Sequence, residues 1–291
     1  MSWLLLALVS AATLAAADVA TKYFFRGRQG WELVVIRLAV PGVFLLPVVF
    51  AHPLPAVPPV FWAWMAVLVP LEIVGMLLYL VAIRDAPLYL TLPYVAFTPV
   101  FNVVGGYVLL GEQVTLKGFA GVLLVVLGAY LLNLDGHKLR AAGGWSAPLR
   151  AIAYERGSRL MLAAAAIYSV TSVGSKQAMS YATPESFGPF YFVLIGILVA
   201  AASLLYHPRR LRVLARGPGA LAVIGALSAI MVVTHFLGIA LVQVAYFIAV
   251  KRTSLLFGIA LGAALLGERV TPRHVIAGSI MLGGVLLIAG G

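Results

Sequence analysis

Apolar runs of about twenty residues follow one another along nearly the whole chain, separated by short polar links. At about 1.5 Å of rise per residue, each run crosses the roughly 30 Å hydrocarbon layer of a bilayer as one helix. The pattern predicts helices over about 3–21, 33–50, 60–83, 88–110, 114–134, 160–179, 187–206, 220–240, 245–266 and 272–289. Backbone amides have no partner in lipid, so closed helices are the reading that satisfies them, and runs this long do not fit barrel strands. The fold class expected is an all-α integral membrane protein of ten transmembrane helices. Pro41 and Pro47 should break or kink the second helix, and Pro93 and Pro99 should bend or unwind the fourth. Only Gly238 punctuates the stretch between the eighth helix and the ninth. No basic residue precedes the first apolar run, so it reads as a retained helix rather than a signal peptide.

Charge then supplies an orientation. Only 10% of the 291 residues are charged, and the mean hydropathy is +1.07, far from a soluble core. The formal charge of +11 reflects basic loops facing anionic lipid rather than nucleic acid. Lys22, Arg26 and Arg28 follow the first helix, Arg84 the third, and Arg209, Arg210, Arg212 and Arg216 the seventh. The 135–159 linker and the link holding Arg269 and Arg273 are basic too, whereas the alternate links hold only Lys117 and Lys176. The positive-inside rule therefore predicts a bacterial inner-membrane protein with both termini outside the cytoplasm. The chain has no Cys, which excludes disulfides and thiolate chemistry.

The chain is also a duplication. GEQVTLKGFAGVLLVVLGAYLL from Gly111 parallels GERVTPRHVIAGSIMLGGVLLI from Gly267, pairing Glu112 with Glu268, Thr115 with Thr271 and Gly128 with Gly284. The same register pairs Tyr79 with His235, and a nearby one pairs Lys22 with Lys176. Five helices per copy is an odd number, so the second copy must sit upside down: an inverted 5+5 repeat, as in alternating-access carriers. The expected division is 1–134, a basic linker over 135–159, and 160–291.

Candidate chemistry centres on Lys251 and Arg252, side by side within the ninth apolar run. Two cations there are costly unless they reach water, snorkel to a surface or pair with an acid. In the repeat register they align with Val95 and Ala96, so a duty shared by both repeats does not explain them. A Lys point charge with an Arg fork suits a carboxylate, phosphate or phosphonate. Glu72, at the middle of the third helix, fits either proton coupling or a fixed pair with Arg37 or Lys251. His235 and Tyr79 fit cargo contact or hydrogen bonding between helices. Lys176 has no acid within reach along its own helix and stands among Tyr168, Ser169, Thr171, Ser172 and Ser175, a polar run that suggests a cavity face. Tyr89, Tyr94, Asn102 and Tyr246 are candidates to line the same cavity. Asp18, one turn before Lys22, could satisfy that lysine locally. Glu112 and Glu268 read as parts of the turns before the fifth and tenth helices, with Thr115 and Thr271 at the following helix starts. Gly258 and Gly262 form a small-xxx-small pair that suits close helix contact. The histidines are scattered, so no metal site is expected.

The doubled GEQVT and GERVT endings, the ten helices and the inverted plan resemble the drug/metabolite transporter superfamily, specifically its EamA-type members. The resemblance covers nearly the whole chain. It implies a carrier or exporter of small solutes, with helices 1–4 and 6–9 around a central cavity and helices 5 and 10 as outer supports. The Lys251–Arg252 pair is also similar to the lysine–arginine pair on the ninth helix of plastid sugar-phosphate translocators, which holds the substrate phosphate there. In that resemblance Lys176 is set against a further lysine of the sixth helix region.

The expected function is secondary transport of a small anionic or zwitterionic solute by alternating access. Lys251 and Arg252 would bind the anionic group, Lys176 would assist, Tyr79, Tyr94, Tyr168, Tyr246 and His235 would orient the cargo, and Glu72 is the candidate for proton coupling. No phosphate-binding glycine loop, catalytic triad or cofactor motif is present, so an enzyme is not expected, and a coupling proton or an exchanged solute must supply the work. Three rival readings stay open. One is export of amino acids or amphiphilic drugs with the charges as anchors; another is a lipid-handling protein whose cations meet a lipid phosphate; the third is a structural or regulatory membrane subunit, which would need no water-accessible cavity. A homodimer through the outer faces of helices 5 and 10 is open as well.

Overall fold

The computed structural model describes residues 2–28, 30–85, 92–133, 154–206, 208–215 and 217–290. Tyr89 and most of the 135–159 linker lie outside the described residues. The described residues are helical with no strand, and ten helices account for the ten apolar runs. They are α1 Trp3–Phe24, α2 Trp31–Ala51, α3 Pro59–Asp85, α4 Pro93–Leu110, α5 Leu116–Asn133, α6 Arg156–Met179, α7 Pro184–Tyr206, α8 Pro218–Ile239, α9 Val244–Leu266 and α10 Pro272–Ala289. Eight are long and apolar enough to cross a membrane by themselves. The others are α5, whose apolar stretch Leu116–Leu132 is shorter, and α6, which carries the polar run noted above.

The prolines act where the backbone can absorb them. In α2 the turn Val35–Ala39 widens to a π-helix just before Pro41, easing the clash between the ring and the preceding carbonyl. In α4 the chain tightens to a 3₁₀ turn over Leu92–Phe97, so that Pro99 falls at the start of a fresh α-segment, Thr98–Gly105. Between α8 and α9 the break is a turn over residues 240–243.

The two GE-x-V-T motifs are stop–turn–start modules. Gly111 and Gly267 take the left-handed conformation, φ +67° and +68°, which a side chain would oppose. The Glu112 amide then bonds back to the Gly106 carbonyl at 3.0 Å, and the Glu268 amide to the Gly262 carbonyl at 3.2 Å, closing each helix. Thr115 Oγ1 accepts from the Gly118 amide at 3.0 Å, and Thr271 takes part in a capping box with His274, opening the next helix. Each glutamate folds over a glycine that has no Cβ to obstruct it, Gly106 and Gly262 respectively.

The chain forms two compact units. One comprises Met1–Val69, Ser175–Val242 and Thr253–Arg269; the other comprises Pro70–Gly174, Gln243–Arg252 and Val270–Gly291. In the first, α1 packs on α8 and on the second half of α9, and α2 packs on α7. Gly42 meets Phe192, Val193 and Gly196, while Gly196 meets Leu38 and Ala39, so α2 and its repeat-equivalent α7 run antiparallel with their backbones close. Phe61, Phe187, Tyr191 and Phe236 make an aromatic core there, with the Tyr191 hydroxyl donating to the Leu68 carbonyl at 3.0 Å. In the second unit α5 packs on α10. Gly121 faces Gly284 and Ile288, and Gly128 faces Ala277 and Met281, so this repeat-equivalent pair is antiparallel too. Equivalent helices of opposite direction are what an inverted 5+5 repeat requires, and the chain is an all-α integral membrane protein of that plan.

Three local expectations are corrected. Lys22 pairs with Glu268 rather than with Asp18, because the α1 and α9 ends meet within the first unit. Asp18 instead takes Arg37, Oδ1 to Nη2 at 2.7 Å, which removes Arg37 as the fixed partner of Glu72. Gly258 has nothing near it, and Gly262 is filled by the Glu268 carboxylate, so this small-xxx-small pair is not a helix contact.

Candidate functional site

The first half of α9, Val244–Lys251, is buried at every position from Val244 to Val250. Lys251 and Arg252 close it. Arg252 and Thr253 keep right-handed backbones but with ψ flattened to −15° and −13°, and a second helical segment starts at Ser254. The Arg252 amide is shared between the Ile248 and Ala249 carbonyls at 3.2 and 3.0 Å. The cations therefore sit at a helix C-terminus inside the membrane-spanning run, where the last carbonyls carry partial negative charge that favours them.

What these side chains meet is set by α3 and α6, all within the second unit. Glu72 and Tyr79 are seven residues apart on α3, two turns, and so share a face. Tyr168 and Thr171 share a face of α6 by their spacing of three. Gly75 stands between Glu72 and Tyr79, and an added Cβ there would lie 3.1 Å from Ile167 and 3.2 Å from the Tyr168 ring. The glycine lets the Tyr168 ring lie against α3. Thr171 hydrogen-bonds the Glu72 carboxylate, and the field of Lys251 reaches that carboxylate. Tyr79 and Tyr168 lie within electrostatic reach of the Arg252 guanidinium, whose Nε is buried with no hydrogen-bond partner. Glu72, Tyr79, Tyr168, Lys251 and Arg252 all keep partial accessibility, although Thr171, Thr253 and the α9 run before Lys251 are buried. Three helices thus bring one acid, two cations and two phenols into one neighbourhood of the second unit.

Other candidates have different duties. Tyr246 is only 6% exposed; its hydroxyl accepts from the Thr115 amide at 2.9 Å and lies 3.2 Å from Thr115 Oγ1. A Cβ at Gly118 would overlap that phenol, so the ring is locked into the start of α5 and does not orient a solute. Tyr94 is fully buried with Ala82 and Met161 and hydrogen-bonds Ser158, which makes it a core residue. In the first unit the Lys176 ammonium donates to the Val242 carbonyl at 2.6 Å, and His235 lies half-buried, edge-on to Phe236 with ring centroids 4.9 Å apart. Glu112 accepts from the Val244 amide at 2.8 Å, holding the first turn of α9. Sequence reading missed the pairing of Thr171 with Glu72 and the role of Gly75; the spacing of Thr171 from Tyr168 was the available signal. Among the described residues no group of His, Asp and Glu could hold a metal ion.

A helical membrane protein with an inverted repeat and charged side chains within its apolar helices is the build of a polytopic solute transporter. Residues 1–134 and 156–290 match the EamA-like transporter family, and the chain belongs to it. It is therefore a multi-pass membrane transporter of small solutes, in a drug/metabolite transporter family that is in general non-enzymatic. A crystal structure of a protein of 18% identity matches 98% of this chain and 94% of its own, with a TM-score of 0.71, and shows the same fold. No curated protein matches.

Proposed function

We propose that the chain is a secondary carrier that moves a small organic anion or zwitterion by alternating access, with Arg252 and Lys251 as the seat of the anionic group. One observation carries this reading. Both cations sit at an interrupted helix with partial accessibility, while the run of α9 leading to them is buried. Cations serving only as interfacial anchors would not need an acid and two phenols from neighbouring helices. Tyr79 and Tyr168 orient the cargo, and Glu72 is the group placed to exchange a proton or a cationic part of the solute.

The orientation proposed is a bacterial inner membrane with both termini outside. The Lys22–Glu268 pair supports it, since it joins the basic link after α1 to the basic turn after α9 at one end of the first unit. The Lys117 contact with the Gly290 carbonyl likewise joins the α4–α5 turn to the chain end in the second unit.

Counterflow in proteoliposomes, with carboxylated, phosphorylated and zwitterionic solutes, tests the function. Lys251→Ala and Arg252→Ala proteins, matched for folding by gel filtration and thermal melting, should lose transport of the anion that the native protein moves. Equal transport by native and both altered proteins would remove the pair from the site.

A further inference from the structure

The link between α7 and α8 carries charge that the solute site does not use. It holds a 3₁₀ helix, Pro208–Ala215, followed by Gly217 at φ +76° and by Pro218 at the start of α8. At three residues per turn, side chains three apart stack on one edge. Leu211 and Leu214 form one such edge and are half-buried, whereas Arg209 and Arg212 form another and are exposed. Leu214 packs on the core of Phe25, Ile36, Leu221 and Ile224, which pins the link across the ends of α1, α2 and α8. The Trp31 indole donates to Ser203 Oγ at 2.7 Å and ties the start of α2 to the last turn of α7. Arg26, next to Phe25, is exposed as well. The acids of this end are taken, Glu32 by Arg28 at 3.1 Å and Glu268 by Lys22. Among the described residues no ion pair takes Arg26, Arg209 or Arg212. Exposed apolar surface flanks them: Tyr23 and Phe24 at the end of α1, and Leu204, Leu205 and Tyr206 at the end of α7. All of these residues except Glu268, which is Lys22's partner there, come from the α1–α2 and α7–α8 regions, and every one belongs to the first unit.

We propose that this end of the first unit is a binding site for an anionic phospholipid, with Arg209 and Arg212 on the phosphodiester, Arg26 alongside, and the acyl chains against the exposed end of α7. Two guanidinium groups one turn, about 6 Å, apart on one edge repel each other unless an anion lies between them. Their planar forks match phosphate oxygens. Aromatic side chains at the same level are those of a membrane interface, and basic side chains there meet lipid headgroups. The apolar flank selects a lipid over a free phosphate ester. A zwitterionic lipid brings its own cation and matches the charge less well. The site shares no residue with the neighbourhood of Lys251 and Arg252, so its failure leaves the carrier reading untouched.

The test is native mass spectrometry of the full chain in detergent, titrated with dioleoyl phosphatidylglycerol or with phosphatidylcholine of the same chains. The native protein should retain phosphatidylglycerol in preference to phosphatidylcholine. The double variant Arg209→Gln, Arg212→Gln should bind phosphatidylglycerol about thirtyfold more weakly, the scale of two cations removed from an anionic surface. Both side chains are exposed, so the fold should survive the change. Arg156→Gln, Arg159→Gln removes the same charge from exposed positions of the second unit and should leave the affinity as it was. Arg209→Lys, Arg212→Lys keeps the charge and should keep most of the binding. Equal retention of the two lipids, native-like affinity in the Arg209→Gln, Arg212→Gln protein, or an equal loss in the Arg156→Gln, Arg159→Gln protein would overturn the site. A lysine variant as weak as the glutamine one would overturn it too, because charge would not then be what holds the lipid. Displacement of the lipid by an equal concentration of glycerol 3-phosphate would assign the arginines to a free phosphate ester instead.

Discussion

Gly121 and Gly258 are both glycines within apolar helices, yet the same methyl group should have opposite consequences at the two sites. At Gly121 an added Cβ would stand 2.7 Å from the Gly284 carbonyl oxygen and 3.1 Å from the Ile288 amide. Ordinary contact begins at 3.4 Å, so the methyl is roughly 0.7 Å too close to an atom that cannot rotate away. The nearest obstacles include backbone, and relief requires α5 and α10 to separate along their shared face. Overpacking of this kind typically costs about 1–3 kcal/mol. At Gly258 nothing lies within 4 Å, and alanine is the better helix former by about 1 kcal/mol, so Gly258→Ala should be neutral or slightly stabilising. The assay is thermal unfolding of the detergent-solubilised protein followed by tryptophan emission, with native, Gly121→Ala and Gly258→Ala measured side by side. A melting point for Gly121→Ala equal to that of Gly258→Ala would refute the close α5–α10 contact.

Two further outcomes follow from the same geometry. Tyr246→Phe removes the hydroxyl that accepts the Thr115 amide, and should cost about 1 kcal/mol of stability while leaving the solute preference in counterflow unchanged; a changed preference would return Tyr246 to the solute path. The chain has no cysteine, so single-cysteine labelling needs no prior removal: Gln113→Cys should react with an impermeant maleimide on intact cells and Arg212→Cys only after permeabilisation, and the reverse pattern would invert the topology.

The sequence by itself determined the membrane class, the ten apolar runs, the doubled GE-x-V-T modules and the inverted plan. Each of these follows from local, periodic physics: the length of helix that spans hydrocarbon, the left-handed glycine that ends it, and the odd number of crossings in each copy. It also marked Glu72, Lys251 and Arg252, because charge inside an apolar run is conspicuous whatever surrounds it. Pairing was a different matter. Lys22 stands one turn from Asp18 yet pairs with Glu268, 246 positions away, and Asp18 turns to Arg37. Tyr246 and Tyr168 are equally plausible wall residues in the sequence. Only packing sends the first into the notch at Gly118 and the second against Gly75, within electrostatic reach of Arg252. Partner choice depends on which helix faces meet, and that is fixed by contacts distant in the chain, which no local pattern of apolar and polar residues records.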